Sequence, residues 1–266
     1  MRNILCVTLI ALLGGCTSTS VTEKYQDKRN DIINVKDKVI EFETGNVLIG
    51  SVSRLYMSNK CLLIADHKSV DKQIHIFNKN DFSYLTSIGN FGEGPEEITV
   101  MGCLAIDEAH HQLYVSDHAK QKIFSYDMDS VMVDSLYKPQ VKTAMNETLF
   151  PSEYQYINDT LSIAVLIKPT STSTFNQFLG RWNMNTGEMI PMKYTHPDIQ
   201  KKRITFAASE KAGIYVECYT RHDLMTICSL DGELLYNIYG PDWDGGNGNK
   251  LQSFGTVMIG NDKIFV

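Results

Sequence analysis

Residues 62–67 read LLIADH and residues 113–118 read LYVSDH. Both hexapeptides are mostly apolar and close on the same pair, Asp66-His67 and Asp117-His118. A polar turn follows each, then a second run rich in β-branched and aromatic residues, Ile74-His75-Ile76-Phe77 and Ile123-Phe124-Ser125-Tyr126. A turn containing Asn or Asp leads to a third run, near Tyr84-Leu85 and near Val131-Met132-Val133. Short runs of this composition bounded by turn residues read as strands. Fainter copies start at Leu161, at Ile214 and, last, at Ile264-Phe265-Val266, so successive offsets are 51, 48, 53 and 50 residues. No segment after residue 35 keeps a helical period.

A period near fifty with several short strands per unit is the signature of a β-propeller. One twisted antiparallel sheet cannot bury both of its faces, whereas sheets packed radially bury them against each other. Alternation fits this: Leu113 and Val115 point one way, Tyr114 and Ser116 the other, so each face can meet a neighbouring blade. The expected fold is all-β, a propeller over residues 38–266.

The N-terminus carries a different message. Met1-Arg2-Asn3 is a short positive stretch, and residues 4–13 are an apolar run too short to span a bilayer and suited to a signal peptide. The run ends in Leu13-Gly14-Gly15-Cys16, which resembles the lipobox of bacterial lipoproteins. On this reading residues 1–15 are a signal peptide, Cys16 is lipidated, and residues 16–37 form a flexible polar tether to the membrane; the alternative is an ordinary secretory signal. The localisation expected is the bacterial cell envelope, most simply the outer membrane. The chain carries 25 Lys and Arg against 31 Asp and Glu, a net charge of −6, with no basic run, so nucleic acid is not an expected partner. Of the cysteines beyond the leader, Cys218 and Cys228 flank the turn at Arg221-His222-Asp223 and could face each other across a hairpin; the reading preferred is small buried hydrophobes.

Residues 87–97 read SIGNFGEGPEE. The lipobox, the loop from Phe91 to Glu97 and the unit at 113–127 together resemble the TolB-like six-bladed propeller lipoproteins of Bacteroides-type bacteria, related in pattern to NHL repeats. The resemblance covers about residues 38–266 and implies the fold far more than any function. A six-bladed ring needs more units than the four complete ones here, so the expectation is a C-terminally truncated chain. The alternative is a smaller ring closed early by residues 39–42.

By propeller logic the 89–97 loop shares a rim with Asp66-His67 and Asp117-His118. Its glycines and Pro95 read first as a structural corner, and similar turn chemistry at 239–246 reads as its recurrence two units later. A phosphate cradle is a poor reading, because no lysine or helix follows and the acids repel phosphate. A metal cage built from Asp66, His67, Glu93, Glu96, Glu97, Asp117 and His118 lacks a compact ligand motif; against it stands the reading that Asp66 and Asp117 accept backbone N–H bonds while the histidines are solvated. No metal or cofactor is therefore expected. Phe91 and Trp243, inside glycine-rich loops, are candidates for stacking on a ligand such as a sugar. His110-His111 reads as an exposed turn. No Gly-x-Ser-x-Gly elbow occurs, so no catalytic residue is assigned. The expected function is a non-catalytic binding or scaffold module for an envelope protein, peptide or glycan; the alternative is an envelope enzyme acting on a glycan at the channel mouth.

Overall fold

A computed structural model describes residues 21–29, 32–200, 202–249 and 254–266. The signal segment and Cys16 lie outside these. A short strand, β1 (Glu23–Tyr25), comes first. Four antiparallel sheets follow in chain order. Blade one is β2 (Ser53–Met57), β3 (Cys61–Asp66), β4 (Lys72–Asn78) and β5 (Tyr84–Asn90). Blade two is β6 (Met101–Asp107), β7 (Gln112–Asp117), β8 (Lys122–Asp127) and, after helix α1 (Met128–Val133), β9 (Gln140–Ala144). Blade three is β10 (Phe150–Asn158), β11 (Leu161–Pro169), β12 (Phe175–Trp182) and β13 (Met189–Pro191). Blade four is β14 (Ile204–Ser209), β15 (Ile214–Tyr219), β16 (Leu224–Ser229) and β17 (Leu234–Tyr239). A hairpin of β18 (Met258–Gly260) and β19 (Lys263–Phe265) stands beyond it. This is a propeller, as the fifty-residue period implies.

Burial follows the alternation. Leu113 and Val115 join Leu63, Ala65, Ile74 and Ile76 in the core between blades one and two. Tyr114, from the opposite face of the same strand, joins Tyr154, Leu166 and Trp182 between blades two and three. Leu161, Ile163 and Val165 meet Tyr215 and Tyr219 between blades three and four. Val216 and Cys218 meet Phe254 and Val257 on blade four's far side. The second strand of every blade is thus buried on both faces, which is why those strands read as near-continuous apolar runs.

Several expectations change. The segment at Val131 is not a strand but the six-residue helix α1: Asp127 Oδ1 accepts the Ser130 N–H at 2.7 Å, an N-cap that outweighs the β-branched residues, and Val131 turns into the blade one–two core. Cys218 and Cys228 are free thiols and cannot meet: Cys218 pairs in register with Met225 and Cys228 with Tyr215, and the two side chains join cores on opposite faces of the blade. Residues 39–42 form no closing strand; Phe42 instead stacks on Phe82 and meets Phe77 edge-on, covering blade one's outer face. Inside the segment expected as a free tether, β1 pairs in parallel with β17, adding a fifth strand to blade four.

Candidate functional site

One rim of the ring, here the upper, carries the loops between second and third strands and the connections from blade to blade. On it Asp66 and Asp117 do the work of turn closure. Asp66 Oδ2 accepts the Gly50 N–H at 2.7 Å, and Oδ1 accepts that of Lys68 at 2.9 Å. A Cβ at residue 50 would press against the Asp66 carboxylate, so glycine is required there. Asp117 is wholly buried and accepts four backbone N–H groups, from Thr99 at 2.8 Å, Val100 at 3.1 Å, Ala119 at 3.0 Å and Lys120 at 3.2 Å. Both carboxylates are spent on holding the chain as it enters their blades.

The histidines are not solvated as expected. His67 Nδ1 lies 3.1 Å from the carbonyl oxygen of Met101, at the start of the next blade's inner strand. His118 lies against Gly102, where a Cβ would overlap its ring, and meets Phe150 edge-on at 5.8 Å. Each Asp-His pair therefore uses its acid within its own blade and its imidazole against a neighbouring strand.

The 91–97 loop is a cage whose cation is supplied by the chain. Lys120 Nζ donates to the carbonyl oxygens of Gly94 and Glu97, each at 2.5 Å, and of Gly92 at 3.4 Å. Glu97 turns inward and accepts the Gly94 N–H at 2.8 Å; a Cβ on Gly92 would collide with that carboxylate. Thr99 Oγ1 donates to the Gly92 carbonyl at 2.7 Å, and Phe91 bridges Ile98 in parallel. Among the described residues, the acids and histidines of this rim do not gather three ligand atoms within 4.8 Å of one another. Glu96 pairs with Lys138 at 2.8 Å, while Glu93 is exposed. Phe91 is 44% exposed on this fastened loop. The loop after Tyr239 follows blade four, three blades on rather than two.

Trp243 packs inward: its ring lies 4.9 Å from Tyr239, 5.7 Å from His196 and 6.1 Å from His222. Tyr239 Oη donates to Glu23 at 2.6 Å, so its oxygen is the acceptor for His196 Nε2–H at 2.8 Å. Trp243 is a wall of blade four rather than a stacking platform.

The turn at His110-His111 is exposed, as expected, and on the opposite, lower rim it takes part in a cluster. His110 Nδ1 lies 2.8 Å from Asp107 Oδ2 and 3.9 Å from Asp159 Oδ1, which belongs to blade three. These three side chains present their ligand-type atoms within 4.8 Å of one another, beside a cavity of about 470 Å³. His111, in a left-handed backbone conformation at φ 52°, sets its Nδ1 2.8 Å from Asp129 Oδ2 at the lip of a second cavity of about 410 Å³, walled by Leu63, Leu85, Ile106 and Met132. The signal in the sequence was the Asp107-to-His111 turn weighed with Asp159 of the next unit.

Histidine titration is a measurable consequence of the packing. Burial holds His75, His118, His196 and His222 below the ordinary histidine value, whereas the hydrogen bond to Asp107 raises His110. A lowered folded value means the unfolded chain takes up protons first, so the stability these four contribute is complete above the unfolded value and is lost as pH falls. His110 and the buried carboxyl of Glu217, both raised, act in the opposite sense. Thermal melts should show Tm falling between about pH 7 and pH 5, the window opening near the ordinary histidine value of about 6.5; a Tm that holds or rises there would contradict the buried, neutral imidazoles.

The four radial sheets define a β-propeller. The chain matches the family DUF5128, a 6-bladed beta-propeller, over residues 17–181, and belongs to it. Two solved structures share the fold. One, a Bacteroides fragilis protein named for its expected export, aligns with a TM-score of 0.54 at 15% identity over 82% of this chain and 60% of its own. The other, a member of the duf4221 family from Bacteroides vulgatus, aligns with a TM-score of 0.51 at 11% identity over 68% of this chain and 56% of its own. The present chain thus spans less than two thirds of either. No curated protein sequence matches it.

Proposed function

We propose that this protein is a lipid-anchored, TolB-like or NHL-like propeller of the bacterial envelope, acting as a non-catalytic binding module for a protein, peptide or glycan at its upper rim. The leader and lipobox ending at Cys16 support the anchor. The carrying observation is Phe91, an aromatic ring held toward solvent on a loop tied down by Lys120, Thr99 and Glu97. A ring presented on a rigid support loses little entropy on contact, which suits it to stack on a sugar face or a peptide side chain. Glu93 and Glu96 flank it with hydrogen-bond acceptors. The enzymatic alternative requires rim carboxylates available for proton transfer, and Asp66 and Asp117 are committed to backbone donors.

Glycan arrays and pull-down from envelope extracts should identify a ligand, and Phe91→Ala should then weaken it by about thirty-fold, corresponding to about 2 kcal/mol for an aromatic anchor. Ligand binding untouched by that change would move the site off this loop; absence of any ligand in both screens would count against the binding reading itself.

A further inference from the structure

The polar N-terminal segment has a fixed berth. Across blade four a row of polar side chains lies in register: Glu217 of β15 opposite Thr226 of β16, Thr226 opposite Asn237 of β17, and Asn237 opposite Glu23 of β1. Glu217, Thr226 and Asn237 are buried. Thr226 Oγ1 donates to Asn237 Oδ1 at 2.9 Å, and Asn237 Nδ2 donates to Glu23 Oε1 at 3.1 Å. The Asn237 N–H reaches the Thr22 carbonyl at 2.8 Å, and the Gln26 N–H reaches that of Tyr239 at 2.9 Å. Tyr25 stacks on Tyr239 with centroids 4.6 Å apart, and Arg29 pairs with the buried Asp223 and lies over Phe254. Without residues 22–29 the Asn237 N–H would lose its acceptor, the Asn237 carboxamide would be left with Tyr194 and Thr226, and the buried carboxylate of Asp223 would lose its guanidinium.

We infer that residues 22–29 are a strap that fixes the membrane anchor to the outer edge of blade four, so that the bilayer lies beside that blade and the Phe91 loop is presented on the far side of the ring. This rests on the lipid-anchored reading of Cys16. Five residues, 17–21, separate Cys16 from the strap, and fully extended they reach at most about 18 Å. A tether free through residue 37 would reach about 70 Å and leave orientation open. In a six-bladed ring blades one and four stand opposite each other, so a leash this short on blade four keeps blade one, and the 91–97 loop that leaves it, away from the lipid. The partner at blade four is thus the surface of the bilayer that carries the anchor.

The test uses the acylated full chain in phosphatidylethanolamine–phosphatidylglycerol vesicles with a headgroup quencher. Fluorophores are placed at matched turns between third and fourth strands, on blade four through Asp231→Cys and on blade one through Asn80→Cys; the native thiols of Cys61, Cys103, Cys218 and Cys228 are buried. The blade-four label should be quenched several-fold more strongly than the blade-one label. Glu23→Ala with Tyr25→Ala should erase that difference while the chain stays on the vesicles. Equal quenching with the strap intact, or stronger quenching on blade one, would overturn the strap's role while leaving the anchor in place. A chain recovered without acyl groups, or one whose Cys16→Ser variant binds vesicles equally well, would instead overturn the anchor and the orientation together.

Discussion

Replacing Lys202 by methionine will destabilise the protein by about 3–5 kcal/mol, the range for removing one partner of a buried ion pair. Lys202 Nζ lies 3.1 Å from Glu217 Oε1, and both side chains are almost fully enclosed, at 8% and 2% exposure. The ammonium also lies 5.6 Å from the centre of the Tyr219 ring. Glu217 stands on the face of β15 between Tyr215 and Tyr219, in the packed layer facing blade three. Burial already pushes its carboxyl above the ordinary range, and Lys202 is the main force in the other direction. With methionine in place the carboxyl must either remain charged without a cation or take up a proton. The sign of the pH effect follows. A folded value raised above the unfolded one favours the fold at low pH, and that favour is lost as pH rises through the folded value. The stability difference between variant and parent, measured by urea unfolding, should therefore grow from pH 5 to pH 8. Taking the difference cancels the opposing trend of the buried histidines, which both proteins share. A flat difference below about 1 kcal/mol, the size of a surface pair, would mean that water reaches Glu217.

The parts of the fold that were legible in the sequence are those buried on both faces. β3, β7, β11 and β15 show their period as apolar runs because no face of theirs meets solvent. The inner strands β2, β6, β10 and β14 were not visible: SRLYM, MGCLAID, FPSEYQYIN and ITFAAS share no pattern, since each meets a different mixture of channel and neighbour. The strap was hidden for a related reason. Its hold is polar and aromatic, Glu23 and Tyr25 on Asn237 and Tyr239, and the partners lie more than two hundred residues away. At the upper rim, the role of Asp66 and Asp117 as turn acceptors could be read locally, because short aspartate side chains favour nearby backbone donors. The place of His67 and His118 could not, because Met101 and Phe150 belong to the following blades. The caging of Lys120 has no signature in the sequence, because the loop's composition shows two glycines and three acids, while its carbonyl oxygens, which do the binding, are present in any sequence.

Changing Asp117 to alanine should remove about 3 kcal/mol of stability, because several backbone donors lose a charged acceptor at once and each buried donor left unsatisfied costs about 1–3 kcal/mol. The four donors belong to two segments: Thr99 and Val100 lie just after the glycine loop, Ala119 and Lys120 just after β7. One carboxylate therefore stitches the entrance of blade two to the turn that carries the caged lysine. Water can reach some of the freed donors, which keeps the loss below the sum for four. Asp117→Asn retains one acceptor oxygen without the charge, and should cost roughly half as much, since hydrogen bonds to charged groups are about twice as strong as neutral ones. The effect should also travel. Once Thr99 and Lys120 shift, Lys120 loses its alignment on the carbonyls of Gly94 and Glu97, and the loop that holds Phe91 slackens. Asp117→Ala at a temperature where it remains folded should thus bind any upper-rim ligand more weakly, although Asp117 is buried beneath the surface and touches no ligand. Limited proteolysis should cut the variant within residues 91–97 while the parent resists. A variant that loses stability but keeps an uncut loop and full affinity would show that Lys120 is aligned by its own carbonyl cage, and that Asp117 serves blade two alone.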